Sequence, residues 1–374
     1  MTVNAVPALR LRLDKRHFPA LDLTRVVAAV AVLFWHYQHF FVPVGVTDWP
    51  VHHPDEPLYP VFALLYDHGA LAVQYFWAVS GFVFAHVYLA DGAAARRFWP
   101  ARIARLWPLH LLTLGLVAAL QGLIHARWGA YFIYQVNDLK HFALNLAMAH
   151  YWGWQANQSF NGPSWSLSTE ILAYLAFWLL LPLLRRAPGP LAALVTLACA
   201  AAVVAGARDA DVLTCLAFFF AGVATYAGAL AGGLTVRTLP VAAAALAVGA
   251  VVAPAVGAKP EFLADAAAIL ALLLVTVWID LVDARGRLGW GRLVGDASYG
   301  IYLWQFPIQL AVVLVVPHWR QAASSPAFLG FFVGSCCLAG MASHRWFERP
   351  VQRLLLRRPA ARAARPSAAL PGAA

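Results

Sequence analysis

Apolar residues dominate the chain in ten long runs, separated by short polar connections. Most runs approach the roughly 20 residues that a helix needs to cross the hydrocarbon core of a bilayer. We therefore predict an all-α protein, a polytopic membrane bundle of about ten transmembrane helices. The predicted spans are 22–42, 61–89, 104–124, 165–185, 190–206, 212–232, 239–257, 262–281, 297–316 and 327–347.

Composition supports membrane insertion. Of the 374 residues, 62% are hydrophobic and 12% are charged, with a mean hydropathy of +0.67, which excludes an ordinary soluble domain. A basic N-terminus precedes the first run, which lacks a small-residue cleavage site, so we predict a retained span rather than a removed signal peptide. The four cysteines lie within predicted spans and are predicted to be buried free thiols.

The net charge of +10 follows from topology. With the N-terminus in the cytoplasm, 21 of the 27 Lys and Arg residues lie in inner segments and 5 lie in outer loops. This bias predicts that both termini are cytoplasmic, and it argues against a nucleic-acid partner. We divide the chain into a basic N-terminus (1–20), a membrane domain (21–353) and an Arg-, Pro- and Ala-rich tail predicted to be disordered (354–374).

Polar residues inside the spans concentrate in the first four and the last two. The middle spans, residues 190–281, carry almost no charge and are predicted to be scaffold. In the first span, Arg25 and His36 are 11 residues apart, so a continuous α-helix puts them on one face, roughly 16 Å apart along its axis. Alternatively, Arg25 reaches the headgroups and His36 makes a single hydrogen bond to a neighbouring helix.

Glu170 lies just inside the outer end of the fourth span. A carboxylate in hydrocarbon is costly and needs a partner. Counted along the helices, Glu170 is roughly 8 Å deep and His36 roughly 9 Å deep, so we predict a His36–Glu170 pair acting as a general base. Ser166, four residues earlier, faces the same way. Alternatively, Glu170 is a protonated structural carboxyl group bonded to Ser166.

Two further groups lie near the cytoplasmic side. Arg102 and Arg105 are three residues apart on the third span and form a pair suited to phosphate oxygens. Taken alone, such a cluster more often reflects positive-inside topology or contact with anionic lipid. His344 and Glu348, four apart in the last span, either shape the cytoplasmic entrance or pair at a helix end. The histidines near residues 36–53 lack a compact ligand spacing, and we expect no metal.

Several segments together resemble acyltransferase family 3, the bacterial integral-membrane O-acyltransferases. In chain order they are LDLTRVVAAVAVLFWH, YFWAVSGFVFAHVY, RIARLWPLH, PSWSLSTE, SYGIYLWQFPI and HRWFERP. The resemblance covers residues 18–353, nearly the whole chain. Each motif is loose by itself, whereas their order along ten spans is specific.

The resemblance implies transfer of an acyl group, by default acetyl, from cytoplasmic acyl-CoA to a hydroxyl of an extracytoplasmic glycan at the bacterial cytoplasmic (inner) membrane. It places the essential histidine on His36 and the first-span arginine on Arg25. It likewise maps the arginine pair to Arg102 and Arg105 and the Ser-x-x-x-Glu element to Ser166 and Glu170. The supporting or substrate-contacting candidates are Asn161, Ser164, Trp165, Ser166, His344 and Glu348.

Gln305 departs from the family pattern, in which this position of the ninth span is often histidine. Glutamine forms hydrogen bonds but does not titrate, so a proton-transfer role at this position is in question. Direct transfer and a covalent acyl-histidine remain alternatives, and the acceptor glycan, acyl length and oligomeric state remain open. The rival functions are a transporter or flippase for a lipid-linked sugar and a purely structural membrane subunit.

Overall fold

The computed structural model describes residues 17–47, 55–89, 95–155, 157–208, 210–255, 261–283 and 286–356. Within these ranges the chain forms helices and loops without β-strand. Eight helical segments of the described part are long and apolar enough to cross a membrane, and two shorter apolar helices occur at the remaining predicted spans. The prediction of a polytopic helical bundle is confirmed.

The first half of the chain contributes the helices that carry most of the polar side chains. They are α1 (Pro19–Trp35), α2 (Tyr59–His68), α3 (Ala72–Tyr88), α4 (Phe98–Trp128), α5 (Leu139–Leu146) and α6 (Trp165–Leu184). Short 3₁₀ segments cover His36–Phe41, Gly69–Leu71 and Gly162–Ser164. The second predicted span is therefore two helices, α2 and α3, joined at Gly69.

The second half supplies the scaffold and closes the bundle. Its helices are α7 (Pro188–Val204), α8 (Ala210–Leu230), α9 (Thr238–Ala255), α10 (Glu261–Val282), α11 (Gly291–Gly295), α12 (Ser298–Val315), α13 (Trp319–Ala322), α14 (Pro326–Ser343) and α15 (Arg349–Leu356). A π-helical turn, His344–Glu348, joins α14 to α15. Because α15 continues to Leu356, the first three residues of the predicted tail are helical. Residues 1–16 and 357–374, where the other terminal predictions fall, lie outside the described ranges.

Helices α3 and α8 pack closely at two glycines, which have no side chain to separate the backbones. At the α3–α8 contact, a Cβ on Gly81 would overlap the Phe219 carbonyl oxygen, and a Cβ on Gly222 would overlap that of Ala78. Small residues allow backbones to approach in this way in membrane bundles. The contact holds α3, which supplies one wall of the interior cavity, against the scaffold.

The start of α1 is held by a carboxylate from a distant helix. Asp280, near the end of α10 and fully buried, accepts hydrogen bonds from the backbone N–H groups of Ala20 (2.8 Å) and Leu21 (3.1 Å). The first N–H groups of a helix have no intrahelical acceptor, and a negative charge there is favourable. This cap fixes the end of α1 that presents Arg25.

Candidate functional site

An interior cavity of about 380 Å³ lies between α1, α3, α4, α6, α12 and α15. Its polar lining includes all three predicted arginines together with Ser166 and Glu170. Aromatic side chains complete much of the wall, and they are Phe76, Trp77, Phe84, Tyr174, Tyr299 and Tyr302. The cavity therefore combines cationic groups with a long apolar surface.

Arg105 is held in place by two acceptors. Its guanidinium donates to Glu348 Oε2 (3.2 Å) and to the backbone carbonyl of Asp296 (3.0 Å). It also lies over the Tyr299 ring, with its central carbon 5.6 Å from the ring centroid. Arg25 is paired less closely, with 3.6 Å to Asp22 one turn earlier on α1.

Arg102 has a different environment. Its guanidinium stacks over Phe84, 4.8 Å from the ring centroid. Its Nε is buried and has no hydrogen-bond partner among the described residues. A buried donor without an acceptor is costly, so this group is suited to an oxygen-rich ligand in the cavity.

Glu170 faces the arginines. Its side chain hydrogen-bonds with those of Ser80 and Tyr174 and interacts electrostatically with Arg102 and Arg25. Glu170 is 7% exposed, and Ser166, one turn earlier, lines the same cavity. The carboxylate thus partly balances the guanidinium charges inside the cavity.

His36 is not among the residues that line this cavity, and none of its contacts within the described residues is with Glu170, so the direct pairing predicted from depth is not seen in this structure. The α-helix of the first span ends at Trp35, and His36 begins the 3₁₀ segment. His36 contacts the Val32 carbonyl and the Gln305 side chain. Depth along a helix does not specify the direction in which a side chain points, and the two residues face different neighbours.

The contact with Val32 sets the tautomer of His36. Nδ1 lies 3.0 Å from the Val32 carbonyl oxygen. A carbonyl oxygen only accepts, so Nδ1 carries the proton in this hydrogen bond and the neutral ring keeps a lone pair on Nε2. The backbone, rather than a carboxylate, orients the imidazole for accepting a proton.

A fully buried glutamine connects His36 to a second histidine. Gln309 donates from Nε2 to the His36 carbonyl (2.9 Å), and its Oε1 lies 3.1 Å from His39 Nδ1. The two imidazole rings are 5.1 Å apart between centroids. This cluster joins the 3₁₀ segment to α12.

Tyr302 lies between the cavity and the histidine cluster along α12. Its hydroxyl lies 2.8 Å from Ser166 Oγ, and it also donates to the Pro163 carbonyl. Gln305, three residues later, donates to the Tyr302 carbonyl and contacts His36. One turn of α12 therefore touches the cavity on one side and the histidine on the other.

The other predicted supporting residues lie around the start of α6, and each has a separate contact. Asn161 is buried and donates to the Leu303 carbonyl (3.2 Å). Ser164 Oγ is 3.0 Å from His150 Nε2. Trp165 packs edge-on against Trp77, with ring centroids 5.7 Å apart. Of this segment's candidates, Ser166 and Glu170 line the cavity.

His344 and Glu348 lie at the other end of the bundle. Glu348 is 1% exposed and pairs with Arg105, while His344 Nε2 is 3.7 Å from Asp296 Oδ2. Burial raises the pKa of Asp296, but the positive charge of Arg105, the hydrogen bond from Arg349 and the more distant charge of Arg25 outweigh burial and lower the pKa below its usual value. Stability from a depressed carboxylate pKa is present above the unfolded-state pKa and is lost as the pH falls through the folded-state value. This cluster is therefore intact at neutral pH.

Sequence reasoning missed several groups that complete the site. Ser80, Tyr174, Asp296 and Gln352 line the cavity, and Gln309 holds His36. Ser80 was detectable as a polar residue within an apolar span, whereas nothing local distinguishes Gln352. Within the described ranges, no group of three or more His, Cys, Asp or Glu side chains could hold a metal ion. All four cysteines are free thiols, as predicted, but only Cys215 and Cys336 are buried, whereas Cys199 and Cys337 are half-buried.

Comparison with known proteins gives partial matches. The chain is 31% identical over 174 residues to acyltransferase MdmB of Streptomyces mycarofaciens, covering 46% of this chain and 41% of that protein. It is 35% identical over 106 residues to protein 2 in the picA locus of Rhizobium radiobacter, covering 27% of this chain and 44% of that protein. The chain thus matches less than half the length of either relative, and no solved structure matches it.

A family model covers far more of the sequence. The model described as an acyltransferase domain matches residues 18–344, which include every helix from α1 to α14. The chain therefore belongs to the acyltransferase domain family.

Proposed function

We propose that this protein is a membrane O-acyltransferase that moves an acyl group, by default acetyl, from cytoplasmic acyl-CoA to a hydroxyl of an extracytoplasmic glycan. Its proposed location is the bacterial cytoplasmic membrane. The observation that carries the proposal is the cavity itself, which joins Arg25, Arg102 and Arg105 to an aromatic interior ending at Ser166 and Tyr302. Arginines suit the phosphates of the donor, and the aromatic walls suit its uncharged arm.

The proposed chemistry centres on His36. Its Nε2 lone pair removes the proton of the acceptor hydroxyl as the oxygen attacks the thioester carbonyl. The C–O bond forms, the C–S bond breaks, and the imidazolium returns its proton to the CoA thiolate. His36 contacts Gln305 and is not among the residues that line the cavity, so we propose that the acyl group reaches it past Tyr302, which lines the cavity wall. A covalent acyl-histidine is the alternative route from the same position.

Glu170 has a different proposed role from the one inferred from sequence. It shares the cavity with Arg25 and Arg102, so it balances their charge on the donor side. The transporter alternative requires a pathway for a whole glycan, whereas a 380 Å³ cavity is the size of a small-molecule site.

Replacing His36 by Ala tests the proposal. We expect acyl transfer to fall at least ~100-fold, within the usual range for loss of a general base. Affinity for acyl-CoA should change little, because His36 does not line the cavity. The measurements are transfer of radiolabelled acetyl from acetyl-CoA to host glycans in membranes and CoA binding by purified protein.

His125→Ala is the matched control, since His125 is exposed at the far end of α4. A fully active, normally expressed His36→Ala protein would rule out the proposed base. A wild-type protein that binds no CoA, yet moves a lipid-linked sugar across vesicles, would establish the transporter instead. Mass spectrometry of surface glycans with and without the gene identifies the acceptor.

A further inference from the structure

A second concavity adjoins the interior cavity. It has a volume of about 740 Å³ and lies between α11 and α15. We call this space the vestibule, and its lining residues are Arg292, Asp296, Arg349, Gln352, Arg353 and Leu356. Three of these, Asp296, Gln352 and Leu356, also line the cavity, so the two spaces are contiguous.

The vestibule carries excess positive charge. Arg349 donates to Asp296 Oδ2 (3.1 Å), which neutralises one of the three arginines. Arg292 and Arg353 have exposed side chains at the opening, and Arg292 also interacts electrostatically with Asp22, so Arg353 is the arginine whose charge is least compensated. Guanidinium groups bind phosphate and carboxylate oxygens through paired hydrogen bonds, so the chemistry of this opening suits a phosphate group.

Unpartnered donors continue from the junction into the cavity. Gln352 Nε2 is buried at the shared wall and has no hydrogen-bond partner among the described residues, and the same is true of Arg102 Nε deeper inside. Native proteins rarely leave buried donors unsatisfied, so their placement along one passage indicates a ligand rich in acceptor oxygens.

The linings of the vestibule and the cavity indicate which part of a ligand each space would bind. The more open vestibule has charged walls, and the more enclosed cavity has largely aromatic ones. We propose that the vestibule binds the 3′-phosphorylated ribose and adenine of acyl-CoA, while the pantetheine arm occupies the cavity. This inference rests on the proposed function, and it names the part of the donor that gives selectivity.

The consequence is discrimination between CoA and 3′-dephospho-CoA, which lacks only the phosphate that Arg292 and Arg353 would contact. Hydrogen bonds to charged groups contribute ~1.5–3 kcal/mol, equivalent to roughly 10–100-fold in affinity. We therefore expect wild-type protein in neutral detergent to bind CoA at least ~10-fold more tightly than 3′-dephospho-CoA.

The test compares both nucleotides, by calorimetry, on wild type and on the double variant Arg292→Gln/Arg353→Gln. We expect the variant to lose most of the discrimination while its affinity for 3′-dephospho-CoA stays near the wild-type value. Arg345→Gln, an exposed arginine of the nearby π-helical turn outside the vestibule, is the matched control and should retain full discrimination. Arg353→Lys, which keeps the charge, should retain part of it.

The outcomes separate the two proposals. If wild type binds CoA but does not distinguish it from 3′-dephospho-CoA, or if the double variant distinguishes them as wild type does, the vestibule assignment is overturned and the proposed function stands. If wild type binds neither nucleotide, the proposed function fails as well.

Anionic lipid offers the same phosphate chemistry, so binding is repeated in nanodiscs of phosphatidylcholine with and without phosphatidylglycerol. Competition by phosphatidylglycerol that is lost in the double variant would assign the vestibule to a lipid headgroup and overturn the inference. An unchanged preference for CoA in both lipids supports it.

Discussion

At the residue scale, the ion pair Arg105–Glu348 links a side chain that lines the cavity to one that is buried in the protein interior. Glu348 is almost completely buried, and its other oxygen accepts from Ser343 Oγ (3.3 Å). Ser343 and Glu348 are five residues apart, and the π-helical turn that ends at Glu348 lies between them. Such turns are frequent at functional sites. The same guanidinium that stabilises α15 therefore faces the proposed donor.

Replacing Glu348 by Ala should destabilise the protein by about 3 kcal/mol, the lower end of the range for breaking a buried pair. The lower end applies because the Arg105 side chain is 21% exposed and water compensates part of its charge. The measurement is the thermal unfolding midpoint of purified protein in detergent, which should fall by several degrees.

The double variant Arg105→Met/Glu348→Leu is the informative companion. It removes both charges, so the thermal unfolding midpoint should recover most of the difference from wild type, while CoA binding is lost. A double variant as unstable as Glu348→Ala would show that the charge pair is not the origin of the effect.

At the element scale, the α3–α8 contact determines the position of Ser80 and Phe84 in the cavity wall. The backbones approach so closely at Gly81 and Gly222 that neither position has room for a methyl group. Helices in lipid associate mainly through such packing, because their apolar surfaces gain nothing from leaving the bilayer.

Gly222→Ala should therefore force α8 away from α3, at a cost at or above the ~1–3 kcal/mol typical of overpacking. We expect reduced thermal stability together with weaker CoA binding. Gly115→Ala on α4 is the control, since a Cβ there meets nothing within 4 Å and alanine favours helix formation. Equal melting temperatures for both variants would contradict the packing argument.

At the scale of the whole molecule, the asymmetric distribution of Lys and Arg predicts one orientation in the membrane. The cavity and the vestibule share the end of the bundle at which Arg105, Asp296 and Gln352 meet. With this end on the inside, both spaces face the compartment that holds acyl-CoA.

Cysteine labelling tests this orientation. In a background with the four native cysteines replaced by Ala, Asn157→Cys should react with a membrane-impermeant maleimide in intact cells, and Arg287→Cys should react only after lysis. Both positions are exposed, so accessibility alone does not distinguish them. Labelling of Arg287→Cys in intact cells would show that the protein has the opposite orientation and would contradict the proposed topology.

The sequence by itself determined the class of structure, the position of the spans along the chain and the short list of polar residues. These follow from local properties: apolar length sets a span, and a charged residue within a span demands a partner. Even with no partner known, Arg25, Arg102, Arg105 and Glu170 could be selected, and all four line one cavity.

Only the tertiary structure decided which residues meet. Helices of this bundle are apolar on most faces, so no one-sided pattern specifies which face of each turns toward which neighbour. Glu170 contacts Ser80 and faces the arginines. His36 begins the 3₁₀ segment that follows α1, and it contacts Val32 and Gln305. Side-chain direction and helix order are set by packing over the whole bundle, which a depth count along single helices does not contain.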